Sequence, residues 1–290
     1  MVQQPDLTLL SREAVRAIRC MGIPSKPDIL IKLTRELDND NPNYIVIGKL
    51  VESDVALSAA ILKTVNSALY GLRRKIPSIN QAMTMLGLRT VAQILTGLLL
   101  QQALTAMSKE GPSMDKFWDN SATIASISAL LAQKLRICPA DEAYTFGLFQ
   151  DCGIPLMMGC HTDYQKILTV ANVSMDKIFT EVEDESFTLN HSAVGFALAD
   201  SWGLPEYMSQ AILHHHNFQL LASDSTCVPA QSKQLICVTL LAERVLQLHT
   251  KRAQTVEWPK GQEFAFRMAN LDEGKFEALA SEVSEVLGAQ

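Results

Sequence analysis

The chain has 290 residues, 48% of them apolar and 6% aromatic, with a formal net charge of −6. That is enough apolar material for a sizeable core in one large domain or two smaller ones, and no window of about 18 uncharged apolar residues offers a membrane span. The acidic balance excludes a general nucleic-acid binder, which needs a concentrated basic face.

The charge is uneven. Residues 1–110 carry 13 Lys/Arg against 9 Asp/Glu, and residues 111–290 carry 12 against 22, an asymmetry that favours docking between parts or partners. The first residues show no basic stretch followed by an apolar one, so no secretory leader is expected. Cys20, Cys138, Cys152, Cys160, Cys227 and Cys237 form no C-x-x-C pair and read as reduced core residues of a cytoplasmic protein.

In chain order, apolar residues at helical spacing predict a helix over 6–20, stopped by Gly22 and Pro24, and another over 28–37 with Ile29, Leu30, Leu33 and Leu37 on one face. Asn39 to Asn43 reads as a turn, 44–52 as a helix, and Ser53-Asp54 as the cap of a helix over 55–69. Pro77-Ser78 restarts the chain into 79–86, Gly87 breaks it, and 88–106 forms a long apolar helix. The turn formers Ser108 to Ser113 mark a boundary. Beyond it an amphipathic helix over 120–135 is predicted, then one opened by Pro139 and ending in Gln150-Asp151, with Gly153 placed to close it in a left-handed cap. Short helices follow near 155–160, 163–172 and 175–183. Asn190-His191 starts another, which Gly203 and Pro205 end, and 206–216 runs into His214-His215-His216. A polar loop covers 219–232, and helices at 233–249, 264–269 and 273–287 finish the chain. The expected fold class is all-α: an N-terminal helical bundle (1–110) packed on a second helical bundle (111–290).

Two stretches carry a family resemblance. Asn66-Ser67-Ala68-Leu69-Tyr70-Gly71, the basic turn at 73–75, Ile79-Asn80-Gln81-Ala82 and Leu86-Gly87, with Glu52 to Ala56 upstream, resemble the N-terminal part of HDOD domains. These are the HD-related output domains of bacterial signalling proteins, and the resemblance runs from roughly Pro24 to Phe218. The stretch Tyr144 to Ile154 resembles the core of the HD superfamily of metal-dependent phosphohydrolases, whose signature is an adjacent His-Asp. Here Gln150 stands in the histidine's place.

Enzymes of that superfamily bind divalent metal through a histidine, the His-Asp pair and a later aspartate, and bimetallic members add further histidines. The resemblance puts Asn120 at the first histidine, Gln150-Asp151 at the pair and Glu243 nearest the last aspartate. His191, His214 and His215 resemble the additional histidines. Amides are poor ligands for transition metals, so the implied site is a non-catalytic relic with no cofactor expected. At most it would bind a divalent ion weakly, through Asp151, His191, His214, His215 and Glu243. Polar satisfaction alone would explain Asn120 and Gln150 as hydrogen-bond partners of Asp151. Three consecutive histidines on a helix point three ways, so no more than two reach one site. Cys152 reads as packing and not as a nucleophile.

The resemblance thus implies a regulatory protein of bacterial signal transduction that works through contacts with other signalling proteins and not through turnover. The tight basic cluster predicts an interaction surface at Tyr70, Arg73, Arg74 and Lys75. Neither direct nucleic-acid binding nor membrane contact is expected. One alternative is a residual phosphohydrolase or cyclic-nucleotide phosphodiesterase using Asp151, His191, His214, His215 and Glu243. The other is a module that senses a nucleotide in the emptied pocket without hydrolysing it.

Overall fold

The computed structural model describes residues 24–288 apart from 38, 40, 68–71, 73, 108–111, 224–225 and 252–254, and apart from the side chains of 107, 112 and 113. The helix expected at 6–20, the boundary expected at 110/111, and Cys20, Tyr70 and Arg73 therefore lie outside the described residues. Those that are described form helices α1 (Asp28–Leu37), α2 (Tyr44–Glu52), α3 (Val55–Val65), α4 (Ile79–Leu86), α5 (Leu88–Met107), α6 (Pro112–Leu135), α7 (Ala140–Phe149) and α8 (Gly153–Cys160). These are followed by α9 (Tyr164–Ala171), α10 (Phe179–Asp184), α11 (His191–Ser201), α12 (Glu206–His214), α13 (Phe218–Ala222), α14 (Ala230–Thr250), α15 (Glu257–Ala269) and α16 (Glu273–Gly288). No strand occurs among the described residues, and the all-α expectation holds. None of these helices is long and apolar enough to cross a membrane.

Local chemistry sets many of the boundaries. Asn43 accepts from the backbone N–H groups of Ile45 and Val46, Asp54 from Leu57, Ser78 from Gln81 and Asn190 from Ala193, so each caps the helix it precedes. Asn66 closes the turn after α3: its amide donates to the carbonyls of Leu62 and Ile76, both at 2.8 Å, while its oxygen accepts from the Ile76 N–H at 2.6 Å. Gly87, at φ 86°, makes the break between α4 and α5 that a side chain would resist.

Several expected boundaries move. The helix expected from 120 begins at Pro112, because proline is tolerated in the first turn, where its missing N–H has no intrahelical partner. The helix expected from 264 begins at Glu257 and accommodates Pro259 in the same way. The loop expected over 219–232 contains most of α13, which the Asn217 side chain caps. The cysteines are not uniformly core residues: Cys152 and Cys237 are buried, Cys138 is half-buried, and Cys160 and Cys227 are exposed. All five of these are free thiols.

One hydrophobic cluster runs from Leu30 in α1 to Val283 in α16. Helix α5 packs on α1, α3 and α4 and also on α7 and α8, so the N-terminal helices reach the site-bearing ones through it. At the centre α7 lies against α6, and α14 crosses α6, α7 and α12. A second, separate cluster of Ala171, Phe179 and Val182 holds α9 and α10 together.

Candidate metal centre

Asp151 sits in the turn between α7 and α8, and glycine makes that turn workable in an unexpected way. Gly153 does not end α7 with a left-handed cap; it starts α8, where a Cβ would lie 2.0 Å from the His191 carbonyl oxygen. Its absent side chain lets α8 cross the start of α11 at backbone contact, bringing Asp151 next to His191.

A third set of ligands comes from the end of α12. The helix stops at His214, and His215 and His216 lie in the following turn, not on the helix expected through 216. Both turn histidines face the same point while His214 stays outside the cluster. Asp151, His191, His215 and His216 thus each offer one ligand atom, all within 4.8 Å of one another. His191 Nε2 lies 3.4 Å from His215 Nε2 and 3.2 Å from His216 Nε2. Asp151 Oδ1 lies 3.5 Å from His191 Nε2 and 3.4 Å from His215 Nε2.

Each imidazole is held by its other nitrogen. His191 Nδ1 bonds Glu183 Oε2 at 2.7 Å, His215 Nδ1 bonds the Ile212 carbonyl at 2.7 Å, and His216 Nδ1 bonds Glu257 Oε2 at 2.6 Å. All three acceptors require an N–H, so in each neutral ring the lone pair is at Nε2, facing inward. Phe179 of α10 stacks on His216 with centroids 4.5 Å apart and planes 7° from parallel.

The electrostatics set the two inner imidazoles apart, favouring charge on His191 and opposing it on His215. Burial works against a charge on His191, yet the carboxylates of Glu183 and Asp151 outweigh it and push the imidazole up to about 10. Burial likewise opposes ionisation of Asp151, but hydrogen bonds and charge from His191 and His215 hold its carboxyl well below the usual range. Burial, with His216 adding to it, brings His215 down to about 4. The donor set therefore fits a divalent transition ion. Once His191 gives up its proton to an incoming ion, three imidazoles and a carboxylate match its chemistry, and donors about 2.1 Å from one ion in a tetrahedron stand about 3.4 Å apart, close to the four separations given above.

The amide side differs. Gln150 follows the last residue of α7, and its Nε2 donates to Glu243 Oε1 of α14 at 2.6 Å and to Asp151 Oδ2 at 3.3 Å. Burial, with the Asp151 charge adding to it, raises the Glu243 carboxyl to about 8. Asn120 and Glu243 join Asp151, His216, Glu257 and Phe179 in the wall of a cavity of about 300 Å³ that opens beside the cluster. Among its described lining residues there is no lysine or arginine.

Of the residues singled out from the sequence, the structure thus brings Asp151, His191 and His215 into one cluster and places Asn120, Gln150 and Glu243 beside it. His214 is left out, and burial holds its imidazole below the usual range. Sequence reasoning missed His216, Glu183 and Glu257. Arg74 and Lys75 flank a separate pocket with Leu72, Ile76 and Met85, far from this chemistry in the sequence.

Comparisons with known proteins bear on the family and the fold. Residues 23–218 match the family model described as the HDOD domain. An uncharacterized protein of Treponema pallidum (strain Nichols) is 27% identical over 213 residues, which are 69% of this chain and 39% of that protein. This chain therefore spans well under half the length of that relative. Among solved structures, an HDOD domain protein of unknown function from Geobacter sulfurreducens superposes with a TM-score of 0.70 at 21% identity, covering 98% of this chain and 96% of that one. A provisionally named phosphohydrolase from Shewanella amazonensis SB2B gives 0.61 at 19% identity over 92% and 97% of the two chains. A provisionally named signal transduction protein from Marinobacter aquaeolei VT8 gives 0.61 at 18% over 95% and 66%.

Proposed function

The chain belongs to the HDOD domain family, and from that premise we propose that it is a regulatory module that holds one divalent transition-metal ion and acts through contacts with signalling proteins, not through turnover. The observation that carries this reading is the convergence of Asp151 Oδ1 with the Nε2 atoms of His191, His215 and His216, each ring turned inward by a bond at its Nδ1. The metal differs from the sequence-based expectation of none or at most a weakly held ion, and its ligands include His216 while leaving out His214 and Glu243. Such an ion, when bound, supplies a Lewis acid and a fixed double positive charge.

The rest of the site supports a holding role more than a hydrolytic one. Gln150 uses its amide to bridge Glu243 and Asp151, so the carboxylates beside the cluster are already engaged. The described lining of the cavity offers no lysine or arginine to meet the charge of a phosphoester. One observation favours the other reading, a metal-dependent phosphohydrolase: Asp151 is 25% exposed, so the cluster is open to the cavity on one side.

Elemental analysis of the purified protein after incubation with Zn²⁺, Mn²⁺ or Fe²⁺ tests the metal, with near-stoichiometric retention expected. Assays of the loaded protein on a cyclic dinucleotide and on p-nitrophenyl phosphate test the role. Turnover that Asp151→Ala abolishes would replace the regulatory reading with the enzymatic one.

A further inference from the structure

We propose that Glu183 and Glu257, two buried carboxylates outside the ligand set, are positioning residues that set the affinity of the metal site and tie α10 and α15 to its occupancy. The inference rests on the metal reading above and assigns a role to helices that supply no ligand.

Glu183 has none of its side chain exposed. It accepts from His191 Nδ1 at 2.7 Å, from the His191 backbone N–H at 3.4 Å and from the Tyr164 hydroxyl. A carboxylate taken fully out of water needs compensation, and its compensating partners are one ligand histidine and the tyrosine behind it. Glu257, 8% exposed, repeats the pattern at His216. Its Oε2 holds His216 Nδ1, and its Oε1 meets Lys260 Nζ at 3.3 Å. A carboxylate on the far nitrogen fixes the tautomer of a ligand imidazole, orients the ring and makes the inward nitrogen a stronger donor.

The coupling to the helices follows from how they are attached. The small apolar cluster of α9 and α10 meets the main core through Leu168, and several of its polar links to the body converge on the ligands. Glu183 on α10 holds His191, and Phe179, also on α10, stacks on His216. From the other side, Lys260 of α15 donates to the Lys177 carbonyl at 2.8 Å, and the Val256 N–H donates to the Asn172 carbonyl at 3.3 Å. An ion that fixes His191 and His216 therefore fixes the segment 172–185 that clasps them. By linkage, whatever orders that segment tightens the ion.

The carboxamide of Glu183→Gln offers one good acceptor where Tyr164 and His191 both need one. If its NH₂ faces the ring, His191 must carry its proton on Nε2, where the ion belongs. Zinc affinity measured by competition with a chromogenic chelator should fall about 10- to 100-fold in Glu183→Gln and in Glu257→Gln. The visible absorption of the Co²⁺-loaded protein should shift in both. Tyr164→Phe leaves the His191 acceptor in place and should weaken zinc less than Glu183→Gln does. In the wild type, hydrogen exchange of the 172–185 amides should slow when zinc is added. Wild-type affinity and an unshifted cobalt spectrum in both Gln variants would overturn the positioning role, and zinc-independent exchange over 172–185 would overturn the coupling. Should Glu183→Gln fail to fold, Glu257→Gln and the wild-type exchange experiment still decide. A wild type that takes up no zinc would remove the metal reading itself and this proposal with it, whereas uptake with unaffected variants would remove the proposal alone.

Discussion

The two sides of the candidate centre are built on different principles. On the imidazole side, three rings and Asp151 aim their lone pairs at one point, and each ring's second nitrogen is engaged behind it. On the amide side, Gln150 spends its donor on Glu243 and Asp151, and Asn120 lines the cavity wall. The first side resembles a socket with its contacts held open, the second a seam sewn shut. Amides at positions where histidines were expected do not by themselves empty a site: here both amides fall on one side, and the histidines on the other are held by bonds at their second nitrogens.

Substitutions can break that comparison, and the largest effect should come from Asp151→Ala. Retained metal should drop from near-stoichiometric to none in elemental analysis, and a chelator should lower the Tm of the wild type but not of the variant. Next is Gly153→Ala, which drives a methyl into the His191 carbonyl and should cost about 3 kcal/mol or more in denaturant unfolding. Full stability in that variant would show that the α8–α11 crossing can spread and that His191 is less firmly placed than argued. On the amide side, Gln150→Leu strips Glu243 and Asp151 of their shared donor and should cost about 1–3 kcal/mol while leaving metal uptake intact. Metal loss there would make the two sides one unit. The smallest effect belongs to Glu243→Gln. Removing a carboxyl that already resists ionisation should change stability by less than about 1 kcal/mol and leave metal uptake unaltered.

Much of the fold was legible because it rests on local rules. Asn43, Asp54, Ser78 and Asn190 cap the helices that follow them, and the long apolar pattern at 88–106 became α5 with one residue added. The site was legible where the family resemblance reached it, at Asp151, His191 and His215. His216 was missed because the helix was carried through it and His214 and His215 were taken as the inward pair; α12 ends at His214, and the turn that follows brings His215 and His216 to the cluster. Glu183 lies in the acidic run Glu181 to Glu185, and nothing in that run distinguishes the fully buried carboxylate from its more exposed neighbours. Glu257 had a faint signal: an acidic residue followed by Trp258-Pro259 is a helix start, but its reach to His216 is a long-range contact that only the assembled core creates.

Cys152, next to Asp151 in the turn, gives this centre a built-in clock. Its thiol is fully buried, it lies 3.9 Å from the Gly195 carbonyl, and burial together with the Asp151 charge pushes it far above the usual thiol range. A thiol in that condition reacts with an alkylating reagent only when the turn opens. Cys160 and Cys227, exposed on the surface, should label at once and set the zero of time. With Cys20, Cys138 and Cys237 replaced by alanine, the slow phase that follows would then report, in seconds or hours, how often the turn carrying Asp151 comes loose.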